Sequence, residues 1–282
     1  MTSILSDTSG LFQSILATHI DIIRTTVLDT LTHLSQTPGA TVGAPRGQMG
    51  QVPARVRLSD CCDYAQQNGL DHLGSFARAM DAASMAETVH QIFSTRRLLI
   101  IDLGSGASLT WILMSLVAKH LGKTQEVIVV NVDHAINMHK VSLALEEGFT
   151  QFLDDFAPSY KRRQIIKPEA INGYTQSELD EGTSVFLVLN HLLHQNLTTH
   201  LPIPEFMDIA MNSSLRVAQT AGNTNLYGVS LEPWGLRMGF GQAGLSQYVH
   251  SKGGSVTDPC RITGNRAGKS VIGFTVPPQQ KA

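Results

Sequence analysis

The stretch Ile100-Ile101-Asp102-Leu103-Gly104-Ser105-Gly106-Ala107-Ser108 constrains this chain more than any other. A short apolar run beginning at Leu98 is closed by two glycines one residue apart, and helical spacing resumes over residues 109–121. Strand, tight turn and helix in that order open a βαβ unit. Glycine lets the backbone reverse sharply and lets a ligand approach without a Cβ in the way. The helix start that follows offers free N–H groups to a carboxylate or phosphate. A tight turn that serves packing alone is the plainer reading of the same glycines.

The pattern then recurs. Residues 126–132 form a β-branched run that ends at Asp133, followed by helical spacing over residues 138–153. Residues 163–167 read as a short third strand, residues 185–189 as a fourth and residues 226–231 as a fifth. Strands alternating with helices predict an α/β fold, a doubly wound and mainly parallel seven-stranded sheet. The last two strands, over residues 255–262 and 270–276, leave no room for a crossover helix and are expected as an antiparallel hairpin at the sheet edge.

Residues 1–95 have a different texture, with no strand-like run. Leu11, Ile15, Leu16, Ile20, Ile23, Val27, Leu31 and Leu34 recur at helical spacing and define one apolar face. That face suits either a homodimer or packing on the same chain. Residues 37–53 are dense in proline and glycine and read as a mobile loop or hinge. A second helical region starts at Ser59, an acceptable N-cap, and is expected to break near Gly69 and Gly74. The division expected is a helical cap or lid over residues 1–95 and a ligand-binding α/β domain over residues 96–282.

Charge and hydropathy remove several function classes. Lys and Arg number 21 against 23 Asp and Glu, for a formal charge of −2. Nucleic-acid binding leaves a basic footprint that this balance lacks. The strongest apolar runs, residues 111–118 and 185–193, fall short of the roughly 18–20 residues a bilayer demands. Residues 1–10 lack a basic segment leading into an apolar one, so no secretory signal is read and a cytoplasmic location is expected. Cys61, Cys62 and Cys260 match neither a disulfide framework nor a zinc spacing.

Asp133 gives the glycine turn a second acid at the end of the next strand. In doubly wound sheets an acid there accepts hydrogen bonds from ribose hydroxyls of an adenosine-containing cofactor. A dinucleotide fingerprint would place a third glycine where Leu109 stands, which disfavours a pyrophosphate.

Taken together, Asp102-Leu103-Gly104-Ser105-Gly106, Asp133, the run from Val185 through Asn190-His191-Leu192-Leu193-His194, and Val229-Ser230-Leu231-Glu232-Pro233-Trp234 resemble the motifs of class I S-adenosylmethionine-dependent methyltransferases. The resemblance covers about residues 96–276, with Ser108 in place of the family's frequent third glycine. It implies a Rossmann-like domain with strand order three-two-one-four-five-seven-six. It also implies a cofactor set of Asp102, Gly104, Ser105, Gly106, Asp133, His134 and Asn190. Gly104 and Gly106 would face the methionine portion, Asp133 the ribose, and Asn190 with His191 the sulfonium. A sulfonium, an amino acid and an adenosine need carbonyls, a carboxylate and an apolar slot more than a phosphate cradle.

Catalytic candidates are His191, Asn190 and Tyr174. His191 is either a proton acceptor at the cleft or a packed histidine, and Tyr174 either caps the adenine or sulfonium or is a half-buried loop aromatic. His191 and His194 lie three apart, but no carboxylate or thiolate completes a ligand set, and no metal is expected. Trp234, Arg237 and Gln242 fall where the resembling family places substrate-facing residues. Residues 239–244 read as a closing loop, residues 264–270 as a hairpin turn that imitates a phosphate loop, and Lys161-Arg162-Arg163 as a solvated surface turn.

The function expected is a methyltransferase acting on a small molecule of secondary or specialised metabolism, with S-adenosylmethionine as methyl donor. In the alternative, S-adenosylmethionine is the sole substrate and cyclises to azetidine-2-carboxylate with release of methylthioadenosine. A non-catalytic cofactor-binding module is the third reading.

Overall fold

Four of the five parallel strands carry near-continuous apolar runs, because helices cover both faces of the sheet they form. The computed structural model describes residues 10–45, 56–104, 106–107, 109–133, 135–156, 159–165, 171, 173–174, 178–190, 203–222, 224–233, 238–262 and 268–278. These contain strands β1 (Arg97–Leu103), β2 (Glu126–Val132), β3 (Ser159–Ile165), β4 (Thr183–Asn190), β5 (Leu226–Pro233), β6 (Ser255–Val256), β7 (Cys260–Ile262) and β8 (Lys269–Val276). The sheet order is β3-β2-β1-β4-β5-β8-β6, with β7 also paired to β8. Strands β1 to β5 pair in parallel, while β8 runs antiparallel to β5. The order reverses between β1 and β4, where doubly wound sheets open a ligand crevice beyond the strand ends.

The predicted edge hairpin is present with its outer strand in two pieces. Val256 pairs with Phe274 but Cys260 with Val271, so three residues stand between the pieces against two on β8. That one-residue excess is a bulge. Thr257 seals it: its N–H donates to Gly273 O and its Oγ1 accepts from Gly273 N, both at 2.9 Å.

The helices are α1 (Leu11–Ser35), α2 (Leu58–Met80), α3 (Ala86–Ile92), α4 (Thr110–Leu121), α5 (Ile136–Phe156), α6 (Ile203–Thr220) and α7 (Met238–Ser251). Apolar residues of α1 through α5 share one core with β1, β2, β4 and β5, and α6 and α7 share a second core on the other face. The apolar face of α1 is thus covered by α2, α4 and α5 of its own chain. Asp81, just past α2, accepts from the N–H groups of Phe12 and Gln13 at 2.9 Å, satisfying two free donors at the start of α1.

Four expectations change. The second helix does not break at Gly69 or Gly74 and is capped by Arg57 rather than Ser59. Gly69 is there for proximity, since a Cβ on it would lie 3.2 Å from Leu109 Cδ1. The third strand begins at Ser159, so Lys161-Arg162-Arg163 is edge-strand backbone and not a turn. Residues 239–244 belong to α7 and not to a closing loop. Among the described residues no helix is long and apolar enough to cross a membrane.

Candidate functional site

Polar side chains inside buried strands mark the end of the sheet where the order reverses. Asp102 of β1 is 2% exposed and Asn131 of β2 is fully buried, and the two are partners in register. Side chains alternate along a strand. Asp102 therefore lies on the same face as Leu98 and Ile100, in the core shared with α4 and α5. Its Oδ2 accepts from Thr110 Oγ1 at 2.7 Å, which ties the strand end to the first turn of α4 across the glycine turn.

That turn is built by its glycines and held by its neighbours. Gly104 and Gly106 have φ of 65° and 54°, the left-handed region where a side chain is strained. Gly104 N donates to Val132 O at 2.8 Å, continuing the β1–β2 ladder. Gly106 N donates to Asp133 Oδ2 at 2.9 Å, and Ala135 N donates to Asp133 Oδ1 at 2.8 Å. From α5, Ser142 Oγ donates to the carbonyls of Gly106 and Ala107 at 3.3 and 3.2 Å. His139 Nε2 lies 2.7 Å from Asp133 O, a carbonyl that can only accept, so the ring carries its proton on that nitrogen. Asp133 therefore fixes the turn from both of its oxygens.

Asn190, the last residue of β4, completes the row. Its Oδ1 is buried and has no hydrogen-bond partner among the described residues, so it can accept from an N–H or ammonium. Above the turn lies α2. A Cβ on Gly106 would be 3.9 Å from Tyr64 Cε1, and Tyr64 packs edge-on against His72 at 6.1 Å between ring centroids. Tyr64, in the second turn of α2, therefore flanks the glycine turn.

Asp102, Gly104, Gly106, Asp133 and Asn190 come together as a group at one end of the sheet. Tyr174 does not join them: it is buried in the core on the other face, with Ile171 and Leu179. Ser105, His134, His191, His194, Trp234 and Arg237 lie outside the described residues. Gln242 is a correction: it is 6% exposed, its Nε2 donates to Ser270 O at 3.2 Å and its Oε1 accepts from Ser270 Oγ at 2.7 Å. Those bonds pin α7 to β8, so Gln242 is structural rather than substrate-facing.

Sequence reasoning missed Thr110, Asn131, Ser142 and Tyr64. Asn131 left a trace, as the one amide in an otherwise β-branched strand, whereas Tyr64 and Ser142 sit on ordinary helical patterns. Cys62 is no nucleophile near neutral pH, because burial first and then the charge of Asp63 push its thiol up to about 11. Among the described residues no three His, Cys, Asp or Glu side chains gather as a metal site.

No protein-family model matches the chain, and no curated protein matches it in sequence. Its fold is similar to that of magnesium protoporphyrin IX methyltransferase from Synechocystis PCC 6803 with bound SAH, at 11% identity, TM-score 0.43, over 91% of this chain and 97% of that one. It is similar to a putative class I S-adenosylmethionine-dependent methyltransferase from Listeria monocytogenes at 11% identity and TM-score 0.46, over 93% and 71% of the two chains. A putative tRNA (m1A22) methyltransferase from Streptococcus pneumoniae, in complex with S-adenosyl-L-methionine, gives 11% identity and TM-score 0.40 over 70% and 73%. Likenesses of this degree assign no residue a role.

Proposed function

We propose that this chain is an S-adenosylmethionine-dependent methyltransferase acting on a small molecule. The observation that carries the reading is the pairing of an orphaned Asn190 Oδ1 with a left-handed glycine turn clasped by Asp133. An adenosine joined to an amino acid satisfies both, with hydroxyls for the acid and an ammonium for the amide oxygen. The groups present fit that ligand and suit a pyrophosphate less, since a carboxylate occupies the N–H of Gly106 that a phosphate would need.

In this reading Asp133 holds the ribose hydroxyls, the turn at Gly104 and Gly106 admits the methionine portion against bare backbone, and Asn190 orients its amine. Bound S-adenosylmethionine supplies a methyl group on a sulfonium, whose displacement needs alignment and water exclusion more than acid–base groups. Tyr64 and the start of α2 exclude water from the turn, the role proposed for the helical lid over residues 1–95. The formal charge of −2 and a site flanked by α2 favour a metabolite over a nucleic acid.

The test has two arms. Calorimetry with S-adenosylhomocysteine should show binding that Asp133→Ala weakens by about 1–3 kcal/mol; equal affinity removes Asp133 from the ribose. Incubation with S-adenosylmethionine alone, followed by mass spectrometry, should give no product until an acceptor is added, when S-adenosylhomocysteine forms. Methylthioadenosine and azetidine-2-carboxylate in the absence of any acceptor would replace methyl transfer with cyclisation.

A further inference from the structure

One cluster of charged side chains is left without a role by the cofactor site, and it lies on the same face of the sheet. Lys269 opens β8 and is 6% exposed. It shares the face of Val271, which is the face of Asp102 and Asn190. Strand β8 stands two places from β4, roughly 10 Å across the sheet. The residues that meet Lys269 come from α2, the helix that also flanks the glycine turn. Lys269 Nζ donates to Ser75 Oγ at 2.6 Å and stands 3.4 Å from Asp71 Oδ2. Ser75 Oγ also accepts from Arg78 Nη2 at 3.3 Å. Asp71, Ser75 and Arg78 are four and three residues apart, one stripe along α2.

The arrangement is unbalanced in charge and in hydrogen bonds. Two cations share one serine oxygen, with one carboxylate 3.4 Å from the lysine. Among the described residues, Arg78 Nε is a buried donor with no acceptor and Asp71 Oδ1 is a buried acceptor with no donor. Burial first, assisted by Arg78 and opposed by Asp71, lowers the pKa of Lys269. The nearby acid on β5, Glu232, does not redress the balance. It pairs in register with Ser270 and so faces the other side of the sheet.

We infer that Lys269 and Arg78 bind the carboxylate of the acceptor, so that the substrate class is a small carboxylic acid held on the same face of the sheet as the glycine turn. A carboxylate supplies what the cluster lacks: a negative charge for two cations and a planar acceptor pair for a guanidinium whose Nε is free. Phosphate would bring a larger, tetrahedral charge to a site already partly filled by Asp71. The inference rests on the methyl-transfer reading for its word acceptor, but the anion site itself does not.

Glutarate and its uncharged diamide serve as probes in calorimetry on the full chain saturated with S-adenosylhomocysteine. Glutarate should bind and the diamide should not. Lys269→Met and Arg78→Met should each weaken glutarate by about tenfold or more, the loss of one charge-assisted hydrogen bond. Asp71→Asn should tighten it, because the internal competitor for the cations is gone. Affinity for S-adenosylhomocysteine should stay the same in all three variants. A cluster that only holds α2 in place would not move glutarate affinity in opposite directions, and the Asp71→Asn arm decides the matter even if Lys269→Met fails to fold. No glutarate binding to the folded wild-type protein, or equal binding by all variants, overturns the inference. Glutarate binding without S-adenosylhomocysteine binding overturns the cofactor reading and leaves the anion site standing.

Discussion

At the scale of the residue, the site depends on side chains that satisfy the backbone as much as on any that would touch a ligand. Asp133 was legible in the sequence because an acid ending a β-branched run is out of place unless it does something. The sequence did not disclose that its two oxygens are engaged with the N–H groups of Gly106 and Ala135. The bond to Gly106 joins positions 27 residues apart, which no local pattern encodes, whereas the bond to Ala135 is the local one an aspartate makes two residues on. Tyr174 shows the converse. An aromatic beside a glycine suggests a pocket lining, yet its ring is taken up by the core of the opposite face. Cys62 offers a check on burial itself. Its thiol is held up to about 11 from an ordinary 9.0. The folded state then binds more protons than the unfolded one across that interval, so the associated stability is whole below pH about 9 and is lost as pH climbs toward about 11. Urea denaturation at about pH 8 and about pH 10.5 should show wild type losing more stability than Cys62→Ala. Equal losses would mean that the native Cys62 thiol titrates like a free one.

At the scale of the element, periodicity located α1, β1, β2, β4 and β5 well and misjudged α2, β3 and α7. The successes carry long apolar runs or a strong stripe. The failures involve glycine and charge, whose meaning depends on what lies opposite. Gly69 reads as a helix breaker in isolation and acts as a contact surface beside Leu109. Residues 239–244 hold three glycines and still form a helix whose Gln242 is bonded to Ser270 on both sides of its amide. The join between α1 and α2 is an element-scale feature that can be measured. Asp81→Ala leaves two N–H groups at the start of α1 without their acceptor and should cost about 1–2 kcal/mol, the usual worth of a helix N-cap. Thermal unfolding would reveal it as a lower Tm, whereas an unchanged Tm would show that water replaces the carboxylate at no cost.

At the scale of the whole molecule, the fold class was legible because alternating elements leave few arrangements open. The role of the first helices was not, since an apolar face does not announce its partner. Phe12, Ile23, Val27 and Leu31 of α1 are almost wholly buried, in a core that continues to the sheet. A chain lacking residues 1–45 should accordingly lose its cooperative thermal transition and bind a dye for exposed apolar surface. A truncated chain with the wild-type Tm would make α1 an appendage.

The borders of the sheet also bear on how this protein can associate with itself. One border is broken into β6 and β7 around three residues that include Pro259, which has no N–H to offer. The other is β3, the end strand of the sheet order. A second copy that tried to extend the sheet beside β6 and β7 would meet an interrupted row of donors. Strand-by-strand extension is thereby discouraged at that border.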